Sequence, residues 1–199
     1  MNPGSGKTFI TMNLATSLAI KGKKVLAIDL DLRKASLSTY IQSPGKGVTN
    51  YLIGQVNTYN EVTVKGKTHP NLDILPVGTI PPNPTELLFE NHLEQMLSEL
   101  KNQYDYIFID CPPVEIVADT SIINKYVDQT LFVIRAELLE RAMLPEIEKF
   151  YQTNKYKNMF LLLNGTTDAY TRYGYHKYGY RYGYHYGYGS GYHQNSDEI

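Results

Sequence analysis

The apolar positions change their period several times along the chain, and each change predicts an element. Phe9, Ile10, Leu14, Ala15 and Leu18 recur at helical spacing, with Gly22 as a natural stop. KVLAID (24–29) is a short apolar run ending in a carboxylate and predicts a strand. Residues 30–71 are mixed, with short helices expected near Leu37–Ile41 and Val48–Ile53. LDILPV (72–77) predicts the next strand. PPNPTELL then opens a helix: Asn83 can cap it, Pro84 fits its first position, and Glu86 falls where a capping box wants an acid. That helix should run to Leu100. YDYIFID (104–110) reads as a buried strand ending in Asp110. A helix near Asp119–Tyr126, a strand TLFVIRA (130–136), a helix over Glu140–Asn154 and a last strand MFLLLN (159–164) complete the series. Strands alternating with helices predict an α/β fold with a mostly parallel sheet.

The pattern stops near Gly165. The stretch Tyr173–Tyr192, YGYHKYGYRYGYHYGYGSGY, holds nine tyrosines and six glycines in twenty residues, and neither a helical nor a strand period survives in it. The expected organisation is therefore a domain over residues 1–165 and a disordered, flexible tail over residues 166–199 with no core of its own. By its residues alone the tail has two readings. It is either an adhesive low-complexity segment that self-associates or binds nucleic acid, or a segment whose hydroxyls are chemistry.

Composition narrows the class. The chain has 199 residues, one domain of ordinary size, and a net charge of −1, so no dedicated nucleic-acid binder is indicated. The single cysteine, Cys111, excludes an intramolecular disulfide and fits a reducing compartment. No apolar run approaches a membrane span and no signal peptide is evident. Tyr104, Tyr106, Tyr126 and Tyr151 read as packing residues, and Cys111 as a small buried group rather than a nucleophile.

Gly4-Ser5-Gly6-Lys7-Thr8 before a helix is most of a phosphate-binding P-loop. The glycines let backbone N–H groups face one anion, Lys7 can reach the β- and γ-phosphates, and the Thr8 hydroxyl can hold Mg²⁺. The full pattern wants glycine five positions before Gly6, where Met1 stands, and a strand feeding the loop, which this sequence does not supply. The expected fold is thus a three-layer P-loop NTPase with its first strand missing, and the chain reads as N-terminally truncated. Asp29 and Asp110 end two strands and Asp31 follows two residues after the first. In a parallel sheet the carboxyl ends share one edge, so the three can converge on phosphates held by Lys7, where carboxylates hold Mg²⁺ waters or accept a proton. Taken singly, each could be a turn or cap residue. Arg33 and Lys34 are either phosphate contacts or plain surface charges.

These motifs, in this order, resemble the cytoplasmic domain of bacterial tyrosine kinases, the BY-kinases of capsule and exopolysaccharide synthesis. PGSGKT resembles the family's Walker A, VLAIDLDLRKASL its second Walker motif and YIFIDCPP its Walker B, with Cys111 where threonine is usual. GTIPPNPTELL (78–88), LLLNGT and the tyrosine cluster complete the order. Partition and septum-site ATPases are related, but they carry a lysine where Asn2 stands and lack a polytyrosine tail. No HRD or DFG triplet of eukaryotic-type kinases occurs.

The resemblance implies ATP and Mg²⁺ as cofactors. Gly4, Ser5, Gly6, Lys7 and Thr8 would bind nucleotide, with Asn164 at the adenine unless it is an ordinary strand-end turn residue. Lys7, Asp29, Asp31 and Asp110 would be catalytic, and Thr8, Asp31 and Asp110 would hold the metal. Asp29 is the first choice for the base. The phosphate acceptors would be Tyr170, Tyr173, Tyr175, Tyr178, Tyr180, Tyr182, Tyr184, Tyr186, Tyr188 and Tyr192. The partners implied are further copies of the chain in a ring, a transmembrane activator either fused or separate, and a protein-tyrosine phosphatase. The implied location is the cytoplasmic face of the bacterial inner membrane. The alternatives are a partition-type ATPase switch without kinase activity, or an inactive fragment.

Overall fold

A computed structural model gives the fold and describes residues 4–80, 84–88, 91–113 and 119–166. The tail, its ten tyrosines and the capping residue Asn83 lie outside the described residues. Residues Met1–Thr166 form one compact unit, and Thr167–Ile199 count as a second.

The first element, α1 (Lys7–Ile20), starts inside the glycine-rich turn and ends where Gly22 takes a positive φ of 80°. β1 (Val25–Asp29) follows, fully buried. A 3₁₀ turn at Ser38–Ile41 and a short α2 (Val48–Leu52) lie where short helices were expected. β2 (Val64–His69) comes from the mixed region and has no apolar period to announce it, because VKGKTH is a mostly exposed edge strand. β3 (Leu72–Leu75), α3 (Pro84–Leu87), α4 (Asn91–Leu100), β4 (Tyr106–Asp110), α5 (Asp119–Ile123), β5 (Thr130–Arg135), α6 (Leu144–Gln152) and β6 (Met159–Asn164) complete the order.

Two elements depart from the sequence pattern. The helix expected from Pro84 to Leu100 is two helices with a turn at Leu88. Leu88 and Leu93 are both buried, yet five residues apart they would lie about 140° apart on one continuous helix. Along α1 the buried positions are Met12, Ala15 and Ala19, whereas Phe9 and Leu14 are exposed. The small alanines let this helix approach β1 closely, so they, and not the larger apolar residues, carry the contact.

The strands form two sheets. One has the order β2-β3-β1-β4, with β1 parallel to both β3 and β4 and only β2 antiparallel. The other is the parallel pair β5-β6. Alternation along β1 sorts the core into layers. Leu26 and Ile28 face a cluster that includes Val48, Leu52, Leu93, Met96, Leu100 and Ile123. Val25 and Ala27 face the opposite cluster, with Met12, Ala15, Ala19, Leu37 and Ile41. β5 and β6 have their own small core, where Phe132, Ile134 and Met159 meet Ile147, Phe150 and Tyr156.

The interruption lies between β4 and β5. A cavity of about 650 Å³ is lined there by Ile10 and Leu14 of α1, Ile107 and Ile109 of β4, and Leu131 and Val133 of β5. β4 is for this reason not the buried strand its sequence promises: Tyr106 is 45% exposed and the next three residues are half-buried. The cavity thus separates the two sheets among the described residues, and the P-loop type of parallel sheet flanked by helices agrees with the expected fold class. Of the four tyrosines read as packing residues, Tyr104 donates its hydroxyl to Asp73 (2.8 Å) and Tyr126 is half-buried, but Tyr106 borders the cavity and Tyr151 is exposed on α6.

Gly47 begins α2 against the backbone of residues 76–78, with Val48 N–H on the Pro76 carbonyl (2.8 Å) and Gly47 N–H on Asn50 Oδ1 (2.9 Å). A Cβ on Gly47 would collide with the Pro76 carbonyl and the Gly78 amide, whereas one on Gly45 meets open space. Gly47→Ala should therefore lower the unfolding free energy by about 1–3 kcal/mol, and Gly45→Ala should leave it unchanged or slightly raise it, in paired urea denaturation curves.

Candidate active site

The phosphate loop is built from backbone conformations that favour glycine. Gly4 and Gly6 have φ of 91° and 93°, in the left-handed region, and Gly6 caps α1. The first N–H groups of a helix lack intrahelical partners, and here they open beside the ends of β1 and β4. Thr8, in the first turn of α1, donates its hydroxyl to Asp110 Oδ2 at 2.6 Å.

The parallel register pairs Asp29 directly with Asp110, so the two strand-end carboxylates share one edge. Asp29 is completely buried, Asp110 nearly so, and Asp31 is 7% exposed. Asp29 is held tightly: its Oδ2 accepts from the Ser38 hydroxyl (2.7 Å) and the Ser38 N–H (2.8 Å), and its Oδ1 accepts from the Asp31 N–H (3.2 Å). Ser38 is itself fixed, because its Oγ accepts from Val77 N–H at 3.0 Å. Asp31 Oδ1 accepts from the N–H groups of Arg33 (3.4 Å) and Lys34 (3.2 Å). The side chains of Arg33 and Lys34 are exposed, so these residues meet the acid through their backbone.

Burial pushes the Asp29 carboxyl above its ordinary range, against the pull of its bonds to Ser38 and the Asp31 N–H. Burial likewise pushes Asp110 up to about 6; the charges of Asp29 and Asp31 add to it, while the Thr8 hydroxyl and the Lys7 charge oppose it. Three buried carboxylates facing one lysine leave negative charge uncompensated, which is the setting for a divalent cation. Among the described residues no three acidic, histidine or cysteine side chains could hold a metal by themselves. Mg²⁺ keeps several waters and binds through one or two protein oxygens plus phosphate, so Thr8 with Asp110 or Asp31 is a donor set that fits it.

The second sheet also reaches the loop. Asn164, at the end of β6, donates its amide to the Ser5 carbonyl (2.9 Å) and accepts from Gly165 N–H (2.8 Å). Arg135, at the end of β5, donates to the Gly4 carbonyl (3.0 Å). The structure thus gathers Gly4, Ser5, Gly6, Lys7 and Thr8 of the loop with Asp29, Asp31 and Asp110 at the edge of the first sheet, and Asn164 joins them from the end of the second. Ser38 and Arg135 escaped sequence reasoning: a serine in a short turn and an arginine closing a strand carry no local signal for a site. Cys111 is half-buried, with its sulfur toward the Ile109 carbonyl (3.8 Å).

An AAA domain family model matches residues 2–159. The chain is 34% identical over 181 residues to the tyrosine-protein kinase CpsD of Streptococcus agalactiae, covering 89% of this chain and 78% of that protein. The chain belongs to the bacterial tyrosine-protein kinase family. It is also 36% identical over 191 residues to EpsB of Ralstonia solanacearum, a putative tyrosine-protein kinase of which it spans 25%. The kinase domain of the Escherichia coli tyrosine kinase ETK superposes with a TM-score of 0.75 at 30% identity, over 92% of this chain and 69% of that one.

Because Asp110 binds its proton more tightly in the folded chain than in the unfolded one, its ionisation opposes folding as pH rises through the window from about 4 to about 6. Without nucleotide or Mg²⁺, Asp110→Asn should be roughly 2–3 kcal/mol more stable than the wild type at pH 7. The difference should shrink as pH falls and vanish below about pH 4, in urea denaturation across that range.

Proposed function

We propose that this chain is an ATP-dependent protein-tyrosine kinase that phosphorylates the tyrosines of its own tail, one copy acting on another, and so regulates capsular or exopolysaccharide synthesis and export. The observation that carries this reading is the Thr8–Asp110 hydrogen bond at the mouth of the phosphate loop, in a chain with ten tyrosines between Tyr170 and Tyr192.

Thr8 and the carboxylates would hold Mg²⁺, which would supply charge neutralisation for the transferred group. Gly4–Gly6 present backbone N–H groups and Lys7 its ammonium to the β- and γ-phosphates. Asp110 orients Thr8, and Asp31, near-buried with two backbone bonds on one oxygen, keeps its other oxygen for the metal site it would help to hold. Asp29 accepts three hydrogen bonds, which leaves about one of a carboxylate's four lone-pair positions for the proton of an incoming tyrosine. Burial raises its basicity to suit that task. Asn164 is assigned to the adenine from the family resemblance, and its bond to the Ser5 carbonyl keeps it beside the nucleotide loop.

The division into a kinase domain over residues 1–165 and a substrate tail over residues 166–199 follows from this reading. About 27 residues of glycine-rich coil span roughly 30 Å, enough to visit a neighbouring subunit. From Gly165 to the end the tail carries three Lys/Arg and three Asp/Glu, so it starts near neutral. Each phosphate adds about −1.5 to −2 charge, so successive transfers drive the tail out of its neighbour and loosen a ring of copies. A phosphatase resets the cycle. Among the described residues no helix is long and apolar enough to cross a membrane, so attachment to the cytoplasmic face of the inner membrane is assigned to the transmembrane activator.

With ATP and Mg²⁺, mass spectrometry of tail peptides should find phosphotyrosine between Tyr170 and Tyr192, and Lys7→Met should reduce it at least a hundredfold, as expected for loss of a phosphate-binding charge. ATP turnover without phosphotyrosine would instead favour the nucleotide-switch alternative.

A further inference from the structure

The carbonyls of Gly4 and Ser5 are both taken by the second sheet, through Arg135 and Asn164. The fit is reciprocal. Gly165, with φ of 69°, leaves room for the Arg135 stem, whose Cγ and Nε lie 3.2 Å from where a Cβ would be. Gly6 leaves room for the Asn164 amide, which a Cβ would strike. No cis peptide occurs among the described residues, and in a trans peptide the C=O and the N–H point opposite ways. The Gly4 carbonyl shares its peptide with the Ser5 N–H, and the Ser5 carbonyl with the Gly6 N–H. Fixing both carbonyls on the ends of β5 and β6 therefore turns both N–H groups away from those ends.

We propose that Arg135 is a positioning residue: by holding the Gly4 carbonyl it orients the Ser5 N–H toward the phosphate-bearing nucleotide, while Asn164, by holding the Ser5 carbonyl, does the same for the Gly6 N–H. This rests on the nucleotide-binding reading above and adds a residue to it. A loop whose peptides are already turned pays no reorganisation when the anion arrives. Arg135 thereby makes the phosphate site a joint product of two sheets with separate cores.

The test uses the full chain, a fluorescent N-methylanthraniloyl ADP with Mg²⁺, and ¹H–¹⁵N spectra of the nucleotide-free protein. Arg135→Ala should weaken ADP binding about tenfold, leave the nucleotide-free thermal midpoint unchanged, and shift the Ser5 amide resonance more than that of Gly6. Arg135→Lys, which still donates to a carbonyl, should recover most of the affinity and return the resonances toward the wild type. Wild-type affinity in Arg135→Ala would overturn the proposal. So would lost affinity with unmoved amide resonances, which would mean that Arg135 touches the nucleotide directly. If the wild type fails to bind ADP, the kinase reading fails, while the resonances still decide whether Arg135 sets the loop.

Discussion

Parallel pairing of β1 with β4 is the constraint on which the site depends. Because the two strands run the same way and pair Asp29 with Asp110, their carboxylates end at one edge of the sheet without any further folding. Antiparallel pairing of the same two segments would place the acids at opposite edges. Everything else at the site serves this edge: α1 brings Thr8 to Asp110, the 3₁₀ turn brings Ser38 to Asp29, and the residues after β1 wrap Asp31 in their own amides. The energetic tension is plain. Burial and mutual repulsion raise the Asp29 and Asp110 carboxyls above their normal range, and hydrogen bonds, with Lys7 at Asp110, oppose this. Carboxylates held in this way are the kind of fixed charge that a bound cation would stabilise.

The split of the sheet has the same origin as the split of the core. β1 has neighbours on both sides and a packed cluster on each face, so all five of its residues are buried. β4 has, among the described residues, a strand neighbour on one side only. β5 and β6 pair with each other and bury Phe132, Ile134 and Met159 against α6, which needs nothing from the larger sheet. The two sheets nonetheless meet chemically at the loop, through Arg135 and Asn164.

Element types were largely legible because the buried strands are short apolar runs bounded by turns, and the acids announced their own strand ends. β2 was not, since an edge strand such as VKGKTH has no face to keep apolar. The helical spacing found α1, but which of its apolar residues face β1 was not legible, because Met12, Ala15 and Ala19 are buried while the larger Phe9 and Leu14 stay exposed. The break at Leu88 was invisible because a capping pattern fixes where a helix starts and says little about where a core residue forces it to turn. At the site, the glycines, Lys7, Thr8 and the acids were legible from motif spacing. Ser38 and Arg135 were not, because their partners, Asp29 and the Gly4 carbonyl, are chosen by the path of the chain in space.

The outer edge of β4 bears on how this protein behaves in solution. The edge strand β2 is guarded by Lys65 and Lys67, whose charges repel an approaching strand. β4, from Tyr106 to Ile109, carries no charge at all along its open side. An unguarded apolar edge offers main-chain bonds to any extended segment, including that of another copy, and salt does little to weaken such pairing. Among the described residues β4 is therefore the strand best suited to pair with a further extended segment, and any such pairing would extend the sheet at the strand that ends in Asp110.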